Sequence, residues 1–259
     1  MTGDHGRFIW YELMTPDVAA AKRFYGEVVG WAAKDMPMSP DFTYTLFNAN
    51  GADVAGAMAL TAEHKGQGIP PNWTGYVCVH DCDAAAATAK ALGGSVMREP
   101  MDIPGVGRFA IIADPHGAVI AIMKPEPPAE ARPRAARGTP GHGAWHELYA
   151  GDAEVDIPFY QSLFGWTESG RHEMGPMGVY HLFGNADGQV GGMMTRPSQV
   201  PHPCWTYYFE VDDIRAAANR VSAAGGTLRM GPMEVPDGSW IVQAVDPQGA
   251  SFALVKTKV

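Results

Sequence analysis

The chain says the same thing twice. WYELMTPDVAAAKRFYGEVVGW, Trp10 to Trp31, returns as WHELYAGDAEVDIPFYQSLFGW, Trp145 to Trp166. Trp10, Glu12, Asp17, Phe24, Tyr25 and Trp31 recur 135 positions later as Trp145, Glu147, Asp152, Phe159, Tyr160 and Trp166. Further on, Trp73, Thr74, Gly93, Gly94, Pro100, Asp114, Pro115, Gly117 and Lys124 recur 132 positions later. Matches held at fixed offsets mark a tandem duplication, so both halves must satisfy one fold. The expected division is a first domain over 1–124, a linker over 125–141 and a second domain over 142–259. The linker is rich in Pro, Ala and Arg and lacks apolar periodicity; its Arg132, Arg134 and Arg137 are expected to keep it solvated, the alternative being a small docking patch.

Each half divides again. RFIWYELM alternates like a strand, and PDVAAAKRFYGEVVG has helical spacing with Gly30 as its stop. FTYTLFNANGADVAGAMAL predicts a hairpin around Asn50-Gly51, a pair suited to a tight turn. TGYVCVH reads as a strand, DAAAATAKALGG as a helix, and SVMREPMDI, GRFAIIAD and AVIAIMK as three strands. The expectation is four βαβββ units in an α+β fold, with helices covering one face of a mixed sheet. In the third unit Pro158 stands where Arg23 stands in the first, which predicts a helix that starts late, near Asp156, or kinks.

Composition narrows the partners. A net charge of -9 argues against nucleic acid, whose phosphates would repel the chain. No apolar run reaches the roughly 20 residues that span a bilayer. The start, MTGDHGRF, lacks a basic-then-apolar leader. Cys78, Cys82 and Cys204 are an odd count without paired spacing, which fits free thiols in a reducing cytoplasm. The expected partner is a small molecule, and the expected state a cytoplasmic monomer or homodimer.

FYGEVVGW and FYQSLFGW after the first helix of each half, with DPHGAVIAIMK and DPQGASFALVK near each end, resemble the vicinal oxygen chelate superfamily. That group holds glyoxalase I, bleomycin-resistance proteins and extradiol dioxygenases. The resemblance covers nearly the whole chain apart from the linker, and is nearest to two-domain glyoxalase-like bacterial proteins labelled as hydroxylases. It implies two glyoxalase/bleomycin-resistance-like domains, each bending its sheet into a cup. Enzyme members hold a divalent metal there, through His, Gln or Glu on first strands and Glu on a last strand. Carried over, the first-strand positions fall on Trp10 and Trp145, the second-unit positions on Thr74 and Thr206, and the glutamate on Ala121 and Ala253. Indole has no lone pair for a metal. The strands 54–60 and 190–195, where the remaining ligand belongs, contain no His, Asp or Glu. No metal and no cofactor are therefore expected. HELYA begins like HExxH but ends on Ala150.

Strand alternation sorts the faces. Trp10, Glu12, Met14, Tyr76, Cys78, Val119 and Met123 share the expected cup face of the first half. Ile9, Tyr11, Leu13, Val77, Val79, Ile120 and Ile122 face the helices. Trp145, Glu147, Tyr149, Tyr208, Glu210, Ser251 and Val255 share the cup face of the second half, and His146 turns towards the helices as a structural residue. Such aromatic and sulfur-bearing walls with a carboxylate suit a flat or partly cationic ligand; alternatively, Trp10 and Trp145 are core residues filling an unused cavity. Trp73, Trp205 and Trp240 are expected at rims or on loops. Glu12 and Glu147 are the candidate catalytic residues, because a carboxylate among aromatics has a raised pKa and can act as a general base; alternatively, each is structural, bonded to Arg108, to a tyrosine or to backbone N–H groups. Glu210 could pair with Glu147, and Arg108 could meet an anionic ligand. The first expectation is a metal-free protein that sequesters or carries a small hydrophobic or aromatic compound, and the second a metal-independent lyase, isomerase or hydrolase that uses a cup-facing glutamate; a metal enzyme with a displaced site and a structural or interaction role stay open beside them.

Overall fold

A computed structural model describes residues 4–126, 135–185 and 188–258. The first half contains β1 (Phe8–Thr15), α1 (Val18–Val29), β2 (Ala32–Ser39), β3 (Phe42–Ala49), β4 (Ala52–Ala59), a short α2 (Ala62–Gly66), β5 (Asn72–Cys78), α3 (Cys82–Ala91), β6 (Ser95–Ile103), β7 (Gly107–Ala113) and β8 (Val119–Pro125). The second half contains β9 (Gly143–Ala150), α4 (Ala153–Phe164), β10 (Thr167–Glu173), β11 (Val179–Asn185), β12 (Gly188–Thr195), β13 (Cys204–Glu210), α5 (Ile214–Ala223), β14 (Thr227–Glu234), β15 (Trp240–Val245) and β16 (Ser251–Lys256). Two eight-stranded mixed sheets result, with strand orders β2-β3-β4-β1-β5-β8-β7-β6 and β10-β11-β12-β9-β13-β16-β15-β14. The fold is α+β, as expected.

Local chemistry sets the element ends. Asp17 caps α1 by accepting from the Ala20 N–H at 2.9 Å, and Gly30 ends it at φ 88°. Asn50 and Gly51 both take positive φ between β3 and β4, as a two-residue hairpin turn requires. In β1 the burial alternates: Tyr11, Leu13 and Thr15 are buried, whereas Trp10, Glu12 and Met14 are half-buried. The expected strand phase therefore agrees with the burial.

The third helix does not start late, the first of the two alternatives expected from Pro158. α4 starts at Ala153 and carries Pro158 inside it. The Thr195 hydroxyl oxygen accepts from the Ala153 N–H and Asp152 from the Glu154 N–H, so the first turn is held without delay, and the buried Asp156 takes the Gly151 N–H just before the cap.

Contacts divide the chain into two compact units that do not coincide with the two sequence halves. One unit takes β6 to β8, β10 to β12 and the larger parts of β5 and β9; the other takes β2 to β4, β14 to β16 and the larger parts of β1 and β13. Each unit thus draws on both halves. In the second unit, the Tyr25 hydroxyl donates to Asp246 at 3.0 Å and accepts from Trp73 Nε1 at 2.7 Å. In the first, the Tyr160 hydroxyl donates to Asp114 at 3.0 Å and accepts from Trp205 Nε1 at 3.2 Å. The repeated FY and DPxG motifs are partners, each meeting its complement from the other half. Trp73 and Trp205 are accordingly buried strand residues, not rim or loop anchors. Trp240 also lies on a strand, with Arg215 4.9 Å above its ring centroid. Of the linker, Arg132 and Arg134 lie outside the described residues.

Candidate functional site

The first four strands form an open face. Register sets Glu12 beside Gly56, Gly56 beside Leu46 and Leu46 beside Lys34; one step along, Met14 adjoins Met58, and Tyr44 adjoins Met36. Cross-strand neighbours share a face. Trp10, Glu12, Met14, Met36, Tyr44 and Met58 on this face are all half-buried. The opposite face, with Tyr11, Leu13, Phe47, Ala55 and Ala57, is fully buried.

A hydrogen-bonded chain runs across the open face. Trp10 Nε1 donates to the Tyr44 hydroxyl at 2.9 Å, and that hydroxyl donates to Glu12 Oε2 at 3.0 Å. Burial, and then the charge on Glu12, push the Tyr44 phenol well above its ordinary pKa, so it remains a donor at neutral pH. Gly56 makes the chain feasible: a Cβ there would come within 2.1 Å of the Tyr44 hydroxyl oxygen. The third repeat carries the same device. Gly192 lies beside Glu147, and a Cβ on it would come within 2.2 Å of the Tyr180 ring. Tyr44 and Tyr180, like Gly56 and Gly192, are 136 positions apart. Sequence reasoning missed all four; that shared offset was the available signal.

The remaining expected residues divide between the units. Trp10, Glu12, Met14, Trp145, Tyr208 and Glu210 belong to one; Tyr76, Arg108, Met123, Glu147 and Tyr149 belong to the other. Trp145 packs against Tyr208 and Val255, and Gln243 Nε2 donates to the Tyr208 hydroxyl at 2.7 Å. Glu210 is completely buried, and its carboxylate takes the Thr257 N–H at 2.9 Å and the Thr257 hydroxyl at 2.5 Å. That bonding ties down the segment after β16, which differs from the expected ligand contact. Arg108 also differs: its guanidinium pairs with Asp83 of α3 at 2.7 Å and Asp102 of β6 at 3.1 Å, on the side facing the helix. Phe109, the next residue, points the other way and lies 6.1 Å from the Tyr76 ring. Met123 is buried. Glu147 is buried too, and its charge adds to the burial that raises the Cys204 thiol pKa; Tyr149 is half-buried. His146 lies on the helix side, stacked on Phe8 with centroids 3.6 Å apart and Nδ1 2.6 Å from the Val190 carbonyl.

A divalent metal needs several oxygen, nitrogen or sulfur donors converging on one point. Among the described residues, no group of three or more His, Cys, Asp or Glu side chains is placed to hold one. Trp10, Trp145, Ala121 and Ala253 bring no donor atom. The residues present do not fit the metal of the superfamily's enzymes.

Two relatives align along almost the full chain. One is "Putative glyoxylase CFP32" of Mycobacterium tuberculosis (strain CDC 1551 / Oshkosh), 33% identical over 248 residues, covering 95% of this chain and 93% of the relative. The other is the anthracycline biosynthesis protein DauV of Streptomyces sp. (strain C5), 30% identical over 260 residues, covering 96% and 92%. The Mn(II)-bound glyoxalase from Novosphingobium aromaticivorans shares the fold, with a TM-score of 0.66 at 18% identity over 97% of this chain and 82% of that one. The family description Glyoxalase/Bleomycin resistance protein/Dioxygenase superfamily matches twice, at residues 7–122 and 139–254. With both repeats matched, the chain belongs to that superfamily.

Proposed function

We propose that this protein binds a small, flat, largely apolar molecule on the open face of β1 to β4, and does so without a metal. The observation that carries this reading is the half-buried Trp10–Tyr44–Glu12 chain, on a face that it shares with Met14, Met36, Leu46, Met58 and Lys34. Indole and phenol rings offer π-faces for stacking, methionine adapts to irregular outlines, and the carboxylate favours a donor or cation on the ligand. The kinship with an anthracycline biosynthesis protein points to a polycyclic aromatic compound.

Titrating tryptophan fluorescence with polycyclic aromatics, an anthracycline among them, tests this. Chelator-treated protein should bind as well as untreated protein, and Trp10→Phe and Glu12→Gln should each weaken binding by about tenfold, ~1.4 kcal/mol. Silence towards every aromatic class would refute it.

A second reading rests on the same hydroxyl. Tyr44 keeps its proton and orients the Glu12 carboxylate, so Glu12 could serve as general base towards a bound ligand in a metal-independent lyase, isomerase or hydrolase. In that case Glu12→Gln would abolish turnover while leaving affinity nearly intact.

A further inference from the structure

The two copies of the DPxG turn are not equivalent. In one, His116 of the turn between β7 and β8 sets Nδ1 2.7 Å from Asp156 Oδ1 on α4. Asp156 is completely buried, and its other oxygen accepts the Gly151 N–H at 3.2 Å. Gly151 leaves room for the imidazole: a Cβ there would come within 2.3 Å of His116. In the duplicate copy the matching positions hold Gln248, Ala21 and Pro16. All three members are replaced together, and Pro16 has no N–H to give. Yet the duplicate turn closes all the same. The Asp246 carboxylate takes the Gln248 and Ala250 N–H groups and the Tyr25 hydroxyl, as the Asp114 carboxylate takes those of His116, Ala118 and Tyr160. The fold needs the aspartate and the tyrosine. It does not need the histidine set.

We propose that His116, Asp156 and Gly151 form a proton-controlled tie in this unit, holding the start of α4 and the end of β9 to the β7–β8 turn when the imidazole is charged and loosening when it is neutral. β9 is the strand that carries Glu147 and Tyr149. The ionisable groups facing His116 are Asp156 on α4, Asp152 at the cap of α4 and Asp114 in its own turn. Tyr160 of α4 bonds to Asp114. The hydrogen bond to Asp156, and then the negative charges of Asp156, Asp114 and Asp152, hold the imidazole pKa above its ordinary value. A raised histidine pKa gives stability that is complete below the unfolded value, ~6.5, and fades as pH rises through the folded one.

Histidine NMR titration and amide exchange of the intact protein test the tie. His116 should titrate at higher pH than a free histidine. Gly151 exchange, corrected for its intrinsic pH dependence, should rise several-fold between pH 6 and pH 9. In His116→Gln, the residue of the duplicate turn, that rise should vanish while the protein stays folded. Asp156→Asn should return His116 towards an ordinary titration. If His116 titrates near ~6.5 in the unmodified protein, or if corrected Gly151 exchange is flat across this range, the tie is wrong. The titration of the unmodified protein stands even if Asp156→Asn fails to fold.

Discussion

Trp10 and Trp145 begin the same motif, and both are half-buried. Trp10 donates to Tyr44, and Trp145 packs against Tyr208 and Val255. The side of its strand each residue would take was readable from alternation alone. Tyr44 was not, because only register brings a residue of β3 to one of β1 that is 32 positions away. The next residue after Trp145 yields a prediction. Burial lowers the His146 pKa to about 4. A depressed histidine pKa destabilises the folded state as pH falls from ~6.5 through that value, by about 3 kcal/mol in all. Urea unfolding between pH 7 and pH 4 should show this loss, and His146→Phe, which keeps an aromatic ring on Phe8, should flatten it.

At the scale of elements, each repeated motif pairs with a distant complement. The tyrosine after the middle of α1 or α4 bonds to the aspartate of a DPxG turn, and a tryptophan at the start of β5 or β13 closes the trio. Motif spacing showed that these residues matter, yet their partners lie 221 and 46 positions away, beyond any local pattern. Tyr25→Phe removes the donor to buried Asp246 and the acceptor of Trp73, so it should cost about 1–3 kcal/mol in urea denaturation. Tyr160→Phe should cost a similar amount, since its trio is built alike. α4 shows the converse limit: Pro158 predicted a late start or a kink, but the helix starts at Ala153, where Thr195 and Asp152 take its first two amide groups.

For the whole molecule, the duplication is a statement about sequence, and the compact units are a statement about contacts. Because each unit takes elements from both halves, neither 1–124 nor 142–259 contains a complete unit. Expressed alone, each half should be unfolded or self-associated by circular dichroism and sedimentation, and mixing the two should restore cooperative unfolding. By itself the sequence determined the strands, the helices and the facing of β1, since period and caps are local properties. Tertiary structure decided which tyrosine bonds which aspartate, which glutamate stays half-exposed and which turn holds an imidazole. Those outcomes depend on register and on contacts between residues far apart in the chain, which no local pattern encodes.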